Sequence, residues 1–438
     1  MFIFSILSFT AKGINLNDLG PYMHDLVIRN GLCFINGEFV ECSVGVDGNR
    51  ITHVAKEVER GEIEIDAAGC LVMPGCFNAH THAAMTLLRG YAEGLPLREW
   101  LEKVWEVEAR LDEDAVYWGT MLACVEMLKS GVTAFADMYI HMDAVAEAVG
   151  ESGMRAVLGY GMADRGDEER ARKELEIGLE FAEKWNGGFE GRVTTMLAPH
   201  APYTCSPEFL KVVSDASKDK GFLKHIHVSE TLWEVKEVRE RYGKRPVEFL
   251  DSIGFLDSST VLAHAVWLSE AEMKILAERG VSVAHCPTSN LKLSSGIAKV
   301  SELLEMGVNV GIGTDGAASN NMLSVLSDAR VGALLQNLRG RTLKPGHWLE
   351  MATEGGYRAY NLKGGRIEEG YLADIVVFSK TCRNAPMHDP AAMLYVENQA
   401  LHAVVDGVLV MEDGILVNVE EEKVIEKAEE TALELVGG

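Results

Sequence analysis

The sequence has few cysteines, and none of them lie at the short spacings that disulfide scaffolds and zinc ribbons use. Eight occur in 438 residues. They are Cys33, Cys42, Cys70, Cys76, Cys124, Cys205, Cys286 and Cys382. Because no Cys-x-x-Cys pair or cluster is present, a disulfide-rich scaffold is excluded, and we expect reduced cysteines packed inside a cytoplasmic protein.

Positive charge is also scarce. Lys and Arg number 41 against 66 Asp and Glu, which gives a formal net charge of −25. A surface with this balance repels the phosphate backbone of nucleic acids. Nucleic acid is therefore excluded as the expected partner, and the acidity by itself predicts only a well-solvated surface.

The apolar opening run, MFIFSILSFT, lacks the features of a targeting or membrane segment. It has no basic leader, is too short to span a bilayer and is followed by no small-residue cleavage pattern. We therefore predict neither a signal peptide nor a membrane partner. Met23 directly precedes the first patterned segment, HDLVIRNG, and residues 1–22 are expected to be a poorly packed or disordered extension.

The two ends of the chain share one texture, short β-rich runs broken by hairpin dipeptides. These dipeptides are Asn36-Gly37 and Asp47-Gly48 near the start, and Asp406-Gly407 and Asp413-Gly414 near the end. The pattern predicts a small composite β-sandwich formed by residues 23–75 and 362–438, with residues 76–361 inserted between its halves.

The inserted middle alternates strand-like apolar runs with amphipathic helical stretches, which is typical of parallel βαβ units. The runs are LVMPGCFNAH, GVTAFADMY, MRAVLGYGM, RVTTMLAPH, FLKHIHVSE, STVLAHAV, VSVAHCP and NVGIGTDG. Eight strands with helices between them close a barrel, whereas a doubly wound sheet usually has five or six. We therefore predict an α/β protein with a (β/α)8 TIM-like barrel.

Polar residues cluster at the C-terminal ends of these runs, which form the active-site face of such a barrel. They are His80, His82, Asp137, His200, His227, Glu230, His264, His285 and Asp315. The strands were not defined by these residues, so their placement supports the barrel independently and predicts an enzyme.

Three histidines and one aspartate of this set form a candidate metal centre. His80 and His82 are two residues apart, so an extended backbone puts both imidazoles on one side. His227 ends the fifth run and Asp315 the eighth. This nitrogen and oxygen donor set suits zinc, with iron or manganese as alternatives.

His225 lies two residues before His227 and could compete for the same position. His227 is preferred because its spacing to Glu230 gives the site an acid group in the following loop. Hydrolysis at a heterocycle needs proton transfer as well as an activated water. Glu230 could supply a proton, Asp315 could receive one, and His264 could stabilise the developing alkoxide.

Five segments together resemble the amidohydrolase superfamily, and within it the deaminases of S-adenosylhomocysteine, 5'-methylthioadenosine and 5'-deoxyadenosine. They are PGCFNAHTHAAMTLLRGYAEGLPLREWL, LAPHAPYTCS, HIHVSET, PTSNLKLSSGIA and GTDGAASNN. The similarity extends from about residue 24 into the C-terminal domain. Two-metal relatives of this architecture carry a carboxylated lysine at the end of strand four. The run RVTTMLAPH has no lysine, so we predict a single metal ion.

The resemblance implies hydrolytic removal of the 6-amino group of an adenosine-like nucleoside, giving the inosine product and ammonia. It implies metal ligation by the four residues named above, with Glu230 as proton shuttle and His264 beside the attacking water. It also implies substrate contacts. Glu108 would accept from the two ribose hydroxyls, and His200 and Ser319 would contact purine nitrogens.

The resemblance further suggests that Arg155 contacts the carboxylate of a homocysteine tail, with Arg165 as a candidate for the assisting basic residue. The preferred 5' substituent stays open. Because homo-oligomers are common among soluble enzymes, a dimer or tetramer is expected.

Two alternative functions were weighed. One is another amidohydrolase, of the guanine deaminase or chlorohydrolase type, against which Glu108 and His200 argue because they suit a nucleoside. The other is a barrel that binds nucleosides or metals without catalysis. It would be expected to lose Glu230 or Asp315, and both are present.

Overall fold

A computed structural model describes residues 23–437 of the chain. The expected extension, residues 1–22, lies outside this range. The strands are β1 (His24–Ile35), β2 (Glu38–Asp47), β3 (Arg50–Ala55), β4 (Gly61–Asp66), β5 (Leu71–Pro74), β6 (Cys76–Thr81), β7 (Val132–Tyr139), β8 (Arg155–Met162), β9 (Val193–Pro199), β10 (Leu223–Val228), β11 (Thr260–His264), β12 (Ser282–His285), β13 (Asn309–Ile312), β14 (Ile375–Phe378), β15 (Ala400–Val405), β16 (Val408–Glu412) and β17 (Ile415–Leu416).

The helices lie mainly between the strands β6 to β13. The α-helical segments are Leu97–Glu108, Glu113–Lys129, Met142–Ser152, Glu168–Trp185, Gly188–Gly191, Pro207–Lys220, Leu232–Tyr242, Pro246–Ser252, Glu270–Arg279, Pro287–Lys292, Val300–Glu305, Ala317–Asn320, Val325–Leu338, Pro345–Ala352, Glu354–Ala359 and Glu421–Gly437. Among residues 23–437, 3-10 helices cover Ala83–Leu88 and Pro390–Tyr395.

Strands β6 to β13 form the predicted barrel. They are parallel and follow one another in chain order across an eight-stranded sheet. At the seam between its first and last strands, the N–H groups of Thr314 and Asp315 both donate to the carbonyl of His80, at 3.1 and 2.9 Å. The eight-stranded TIM-like barrel is thereby confirmed.

The helix Pro207–Lys220 illustrates how the local sequence sets the boundaries of the outer layer. The Ser206 side chain accepts from the N–H of Phe209, which satisfies one of the free donors at the helix start. Pro207 occupies the first turn, where no N–H is needed. Gly221 ends the helix with φ of 76°, in the left-handed region that glycine enters without strain.

The first predicted barrel run, LVMPGCFNAH, is divided between two sheets, and this corrects the prediction of a single strand. Strand β5 pairs with β1 and β14 outside the barrel, and β6 begins the barrel. Gly75 lies between them, packed against Thr133. A Cβ at Gly75 would come within 1.9 Å of the Thr133 hydroxyl oxygen, so only glycine fits at this crossing.

The two chain ends build one sheet, as predicted for the composite domain. Strands β1 to β5 and β14 to β17 form a nine-stranded sheet with mostly antiparallel ladders. The register of β1 shifts between Ile28 and Gly31, and β4 and β5 pair with its two halves. Its separate core includes Leu26, Ile28, Val44, Val46, Ile51, Ile65, Ile375 and Val377.

The end of the chain departs from the prediction that residues 362–438 all belong to the β-sandwich. The helix Glu421–Gly437 packs instead on the barrel helix Glu113–Lys129. Glu421 forms an ion pair with Lys129, and the ammonium of Lys423 lies 5.9 Å from the centre of the Trp118 ring. Within residues 23–437, no helix combines the length and apolar character required to cross a membrane.

Candidate active site

The predicted metal ligands meet at the C-terminal ends of the barrel strands. Nε2 of His80 and Nε2 of His82 lie 3.5 and 3.3 Å from Oδ1 of Asp315. His80, His227 and His264 also present ring nitrogens that lie within 4.8 Å of one another. Side chains from β6, from β10 and β11, and from the loop after β13 therefore converge on one point.

Backbone carbonyls orient two of these imidazoles. Nδ1 of His82 lies 2.7 Å from the carbonyl oxygen of Met138, and Nδ1 of His227 lies 2.8 Å from that of His200. A carbonyl only accepts, so each Nδ1 carries the hydrogen and each Nε2 is left with a lone pair. This is the usual support for a metal-ligating histidine.

The orientation of His80 depends on a side chain instead. Its Nδ1 lies 2.9 Å from Nε2 of His225, which places His225 behind His80 rather than beside Asp315. Nε2 of His80 is buried and has no hydrogen-bond partner. An unpartnered buried nitrogen is costly unless something else satisfies it.

A divalent cation fits this set of residues. Its donors would be three imidazoles and one carboxylate, and it would satisfy the orphaned nitrogen of His80. Burial lowers the pKa of His80 to about 3, and burial also lowers the pKa values of His225 and His227 well below the usual value. These imidazoles are therefore neutral at neutral pH, which is the form that ligates metals.

Asp315 is held so that one oxygen faces the histidines. Its Oδ2 accepts from the hydroxyls of Ser289 and Ser319, at 2.6 and 2.7 Å, while Oδ1 points at His80 and His82. This corrects the expected role of Ser319. Its hydroxyl contacts Asp315, and the residue does not line the cavity beside the site.

Glu230 is buried next to the predicted metal ligands but is outside the groups of side chains whose donor atoms could share one ion. Ser295 donates to its Oε1 at 2.9 Å, and its Oε2 lies 3.8 Å from Nε2 of His264. The N–H groups of Ser229 and Glu230 both donate to the carboxylate of Glu234, at 2.7 and 2.8 Å. Burial raises the pKa of Glu230, which favours a carboxyl group that can carry a proton.

Left-handed backbone conformations concentrate around the same point. Ser229, His264, Ala265 and Asp315 have φ values of 55°, 70°, 48° and 63°. Such conformations cost about 1–3 kcal/mol each in non-glycine residues and persist where the surroundings impose them, often at functional sites. His264 is fixed further by a 2.9 Å contact between its Nδ1 and Oδ1 of Asn290.

A cavity of about 400 Å³ opens onto the cluster, a size in the usual range for small-molecule sites. Its walls combine charged, imidazole and aromatic groups. They include His82, Trp100, Glu108, Tyr139, Arg165, Arg170, His200, Tyr203, His227, Glu230, His264 and Asp315. A second cavity of about 780 Å³ adjoins it and shares Trp105, Arg165 and Tyr203 with it.

Two predicted substrate-binding residues line the inner cavity. Glu108 accepts from the hydroxyl of Tyr139 at 2.6 Å, and burial raises its pKa. Nδ1 of His200 lies 2.9 Å from the hydroxyl oxygen of Thr204, which is also 3.1 Å from the carbonyl of Ala201. Burial lowers the pKa of His200 to about 4, so this imidazole is neutral.

Arg155 lies elsewhere, which corrects its expected contact with a substrate tail. It is the first residue of β8, at the end of the barrel opposite the cluster. Its guanidinium is buried in ion pairs with Asp374, at 2.7 Å, and Asp406, at 2.5 Å. The N-terminal ends of barrel strands lie on the face opposite the active site, where residues serve stability. The position of Arg155 at the start of its strand therefore indicates a structural role, in contrast to the role that the resemblance implied. Arg165, in contrast, borders both cavities.

Several supporting residues in the site were not predicted from the sequence. Tyr139 contacts Glu108, Thr204 contacts His200, and Glu234 binds the backbone N–H of Glu230. Ser289 contacts Asp315, Asn290 contacts His264, and Ser295 contacts Glu230. Ser289, Asn290 and Ser295 all fall in the segment PTSNLKLSSGIA. Its density of small polar residues after a barrel strand was the available signal.

Comparison with known proteins agrees with this geometry. Residues 71–414 match the model of the amidohydrolase family. A 5-methylthioadenosine/S-adenosylhomocysteine deaminase of Pelotomaculum thermopropionicum is 44% identical over 418 residues, which are 92% of this chain and 95% of that protein. A 5'-deoxyadenosine deaminase of Methanosarcina mazei is 43% identical over 94% of this chain and 99% of its own.

A solved structure is similar over nearly the whole chain. It is an adenosine deaminase from Xanthomonas campestris with bound zinc, with a TM-score of 0.91, 31% identity, and coverage of 96% of this chain and 100% of that one. The family match, the extent of these similarities and the strand-end cluster lead to one conclusion: the chain belongs to the amidohydrolase family.

Proposed function

We propose that the protein is a metal-dependent hydrolytic deaminase that replaces the 6-amino group of an adenosine-like nucleoside with oxygen and releases ammonia. The observation that carries this proposal is that the proton-transfer residue Glu230, three of the four predicted metal ligands and Glu108 line one cavity, the three ligands being His82, His227 and Asp315. The relatives named for 5'-deoxyadenosine, 5-methylthioadenosine and S-adenosylhomocysteine support this substrate class.

His80, His82, His227 and Asp315 would hold the ion, with zinc favoured by the donor set and by the zinc in the similar adenosine deaminase. When bound, such an ion acts as a Lewis acid that lowers the pKa of water from about 15.7 to about 7. The neutral imidazoles and the fixed Oδ1 of Asp315 prepare the site for it.

The proton transfers fall to Glu230 and Asp315. Glu230 donates a proton to the ring nitrogen beside the reacting carbon, the water oxygen bonds to that carbon, and Asp315 takes one proton from the water. Glu230 then recovers a proton from the new hydroxyl group, Asp315 protonates the amino group, and the C–N bond breaks to release ammonia. His264, whose Nε2 lies 3.8 Å from Oε2 of Glu230, would stabilise negative charge on the attacking oxygen.

Glu108 and His200 bind the nucleoside outside the reacting bond. The Glu108 carboxylate accepts from the ribose hydroxyls, while its bond with Tyr139 fixes its orientation. Nε2 of His200 would contact a purine nitrogen, while Thr204, which donates to the carbonyl of Ala201, accepts from Nδ1–H of His200. The 5' substituent would extend toward the outer cavity, and Arg165, which lines both cavities, is a candidate to bind an anionic tail.

A substrate panel tests the proposal. Purified protein would be incubated with adenosine, 5'-deoxyadenosine, 5'-methylthioadenosine, S-adenosylhomocysteine and guanine, and the ultraviolet shift to the oxo product would be followed. Metal content would be measured on the same sample. We expect turnover of at least one 5'-modified adenosine and about one ion per chain. Turnover of guanine alone would favour a free-base deaminase, and binding without turnover would favour a non-catalytic barrel.

A further inference from the structure

A buried chain of three side chains ends at the metal-facing nitrogen of His80. Nδ1 of His80 lies 2.9 Å from Nε2 of His225, and Nδ1 of His225 lies 2.9 Å from the hydroxyl oxygen of Tyr360. The Tyr360 hydroxyl lies in turn 2.7 Å from the carbonyl oxygen of Ala79. The three side chains are 0%, 0% and 2% exposed, so water does not substitute for any of these contacts.

The carbonyl of Ala79, at the end of this series of hydrogen-bonded side chains, fixes the direction of every hydrogen bond in it. Because the oxygen of Ala79 only accepts, Tyr360 donates to it and accepts from Nδ1–H of His225. Neutral His225 then has a lone pair on Nε2, which accepts from Nδ1–H of His80. Nε2 of His80 is therefore left with a lone pair, 3.5 Å from Oδ1 of Asp315.

Ring stacking holds the chain in line. The rings of His80 and His225 are stacked with their centres 4.9 Å apart and their planes 18° apart. The Tyr360 ring is stacked on Phe77, with centres 5.3 Å apart and planes 14° apart. Phe77 and His80 both belong to β6, so a single strand carries the ligand and the ring that packs against Tyr360.

We infer that Tyr360 and His225 form a positioning relay that selects the metal-binding tautomer of His80. This inference rests on the metal site of the proposed function and goes beyond it. His82 and His227 are oriented by backbone carbonyls, whereas His80 depends on two side chains that touch neither metal nor substrate. His80 is therefore the ligand whose tautomer a distant substitution can change.

Loss of the Tyr360 hydroxyl removes the contact that selects the tautomer of His225, and through it that of His80. Nδ1–H of His225 loses its acceptor, so the other tautomer of His225, with its hydrogen on Nε2, becomes competitive. That hydrogen would oppose Nδ1–H of His80 and shift the His80 hydrogen to Nε2, where it blocks ligation. Loss of a supporting partner typically costs about 10–100-fold in metal affinity, and we expect a loss in this range.

Zinc affinity, measured by competition with a chromophoric chelator, tests the relay on the full chain. Tyr360→Phe should weaken zinc binding by about 10–100-fold. Tyr357→Phe is the matched control, because it removes a buried phenol hydroxyl from the helix Glu354–Ala359, which Tyr360 directly follows. The Tyr357 hydroxyl donates to Asp374 at 2.7 Å and has no contact with the relay. It should retain the wild-type affinity.

A double-variant cycle separates the relay from general destabilisation. His225→Leu should weaken zinc binding at least as much as Tyr360→Phe, and the double variant should bind like His225→Leu alone, because both act through one path. Wild-type affinity in Tyr360→Phe, or an equal loss in Tyr357→Phe, would overturn the relay while leaving the metal site intact. Absence of zinc binding in the wild type would overturn the metal site and the relay together.

Discussion

Tyr139 donates a 2.6 Å hydrogen bond to Oε1 of Glu108, which joins the last residue of β7 to the last residue of the helix Leu97–Glu108. This carboxylate would otherwise sit on a free helix end at the edge of the cavity. The contact fixes its direction, as the proposed recognition of a ribose diol requires.

Replacement of this carboxylate should affect nucleosides selectively. In Glu108→Gln, kcat/KM for the best nucleoside should fall roughly 10–100-fold, since a hydrogen bond to a charged acceptor is worth about 1.5–3 kcal/mol. Any activity on the free base should change much less, because the base lacks the ribose. Glu106→Gln, at an exposed position of the same helix, is the control. Equal losses on nucleoside and free base would contradict the ribose assignment.

Removal of the acid at Glu230 should separate metal binding from turnover. Glu230→Gln preserves shape and the contact with Ser295 but has no transferable proton, so kcat should fall by at least about 10³. The metal content should stay at the wild-type level, because Glu230 is outside the predicted ligand set. Both quantities can be measured on one preparation, with Glu240→Gln on the following helix as the exposed control. Near-normal turnover would refute the proton role.

Removal of the metal should lower both activity and thermal stability. Without an ion, Nε2 of His80 is buried and unpartnered. Dialysis against a strong chelator should abolish deamination, and added zinc should restore it and raise Tm with concentration. Binding at a thousand times Kd stabilises a folded protein by about 4.1 kcal/mol. A Tm that does not respond to zinc would argue against the site.

The buried ion pair between Arg155 and Asp374 should contribute strongly to the stability of the folded protein. Asp374→Asn leaves the buried guanidinium of Arg155 without its main partner and should cost about 3–5 kcal/mol in free energy of unfolding. Asp251→Asn is the matched control, because Asp251 also binds an arginine, Arg279, through two contacts but at the surface. Chemical denaturation should show little change for the control. Substrate preference should be unchanged in both variants.

Much of the barrel could be predicted from the sequence because its strands appear as short runs of apolar residues. Each of the eight predicted runs contains one barrel strand, since buried parallel strands are continuous apolar segments, and only the first run also contains a strand of the other sheet. The run LVMPGCFNAH was nevertheless predicted as one barrel strand, although the predicted domain boundary lies between residues 75 and 76. The change of sheet is visible in the long-range pairing of β5 with β1 and β14 and in the packing of Gly75 against Thr133.

The candidate site shows the same division. Strand-end positions sufficed to bring His80, His82, His227 and Asp315 together, because the barrel gathers strand ends on one face. The supporting contact of Tyr360 with His225 joins residues that are 135 positions apart, and no spacing rule connects Tyr360 to the ligands. The predicted role of Arg155 was wrong for a related reason, because its partners come from loops of the other sheet, Asp374 just before β14 and Asp406 between β15 and β16.

The predicted metal ligands at the seam of the barrel determine when, during synthesis of the chain, the proposed metal ion can bind. His80 lies on the first barrel strand to leave the ribosome, and Asp315 follows the last. An ion held by both residues would not be captured by a nascent or truncated polypeptide that ends before Asp315. Loading of the proposed metal would therefore follow synthesis and closure of the barrel.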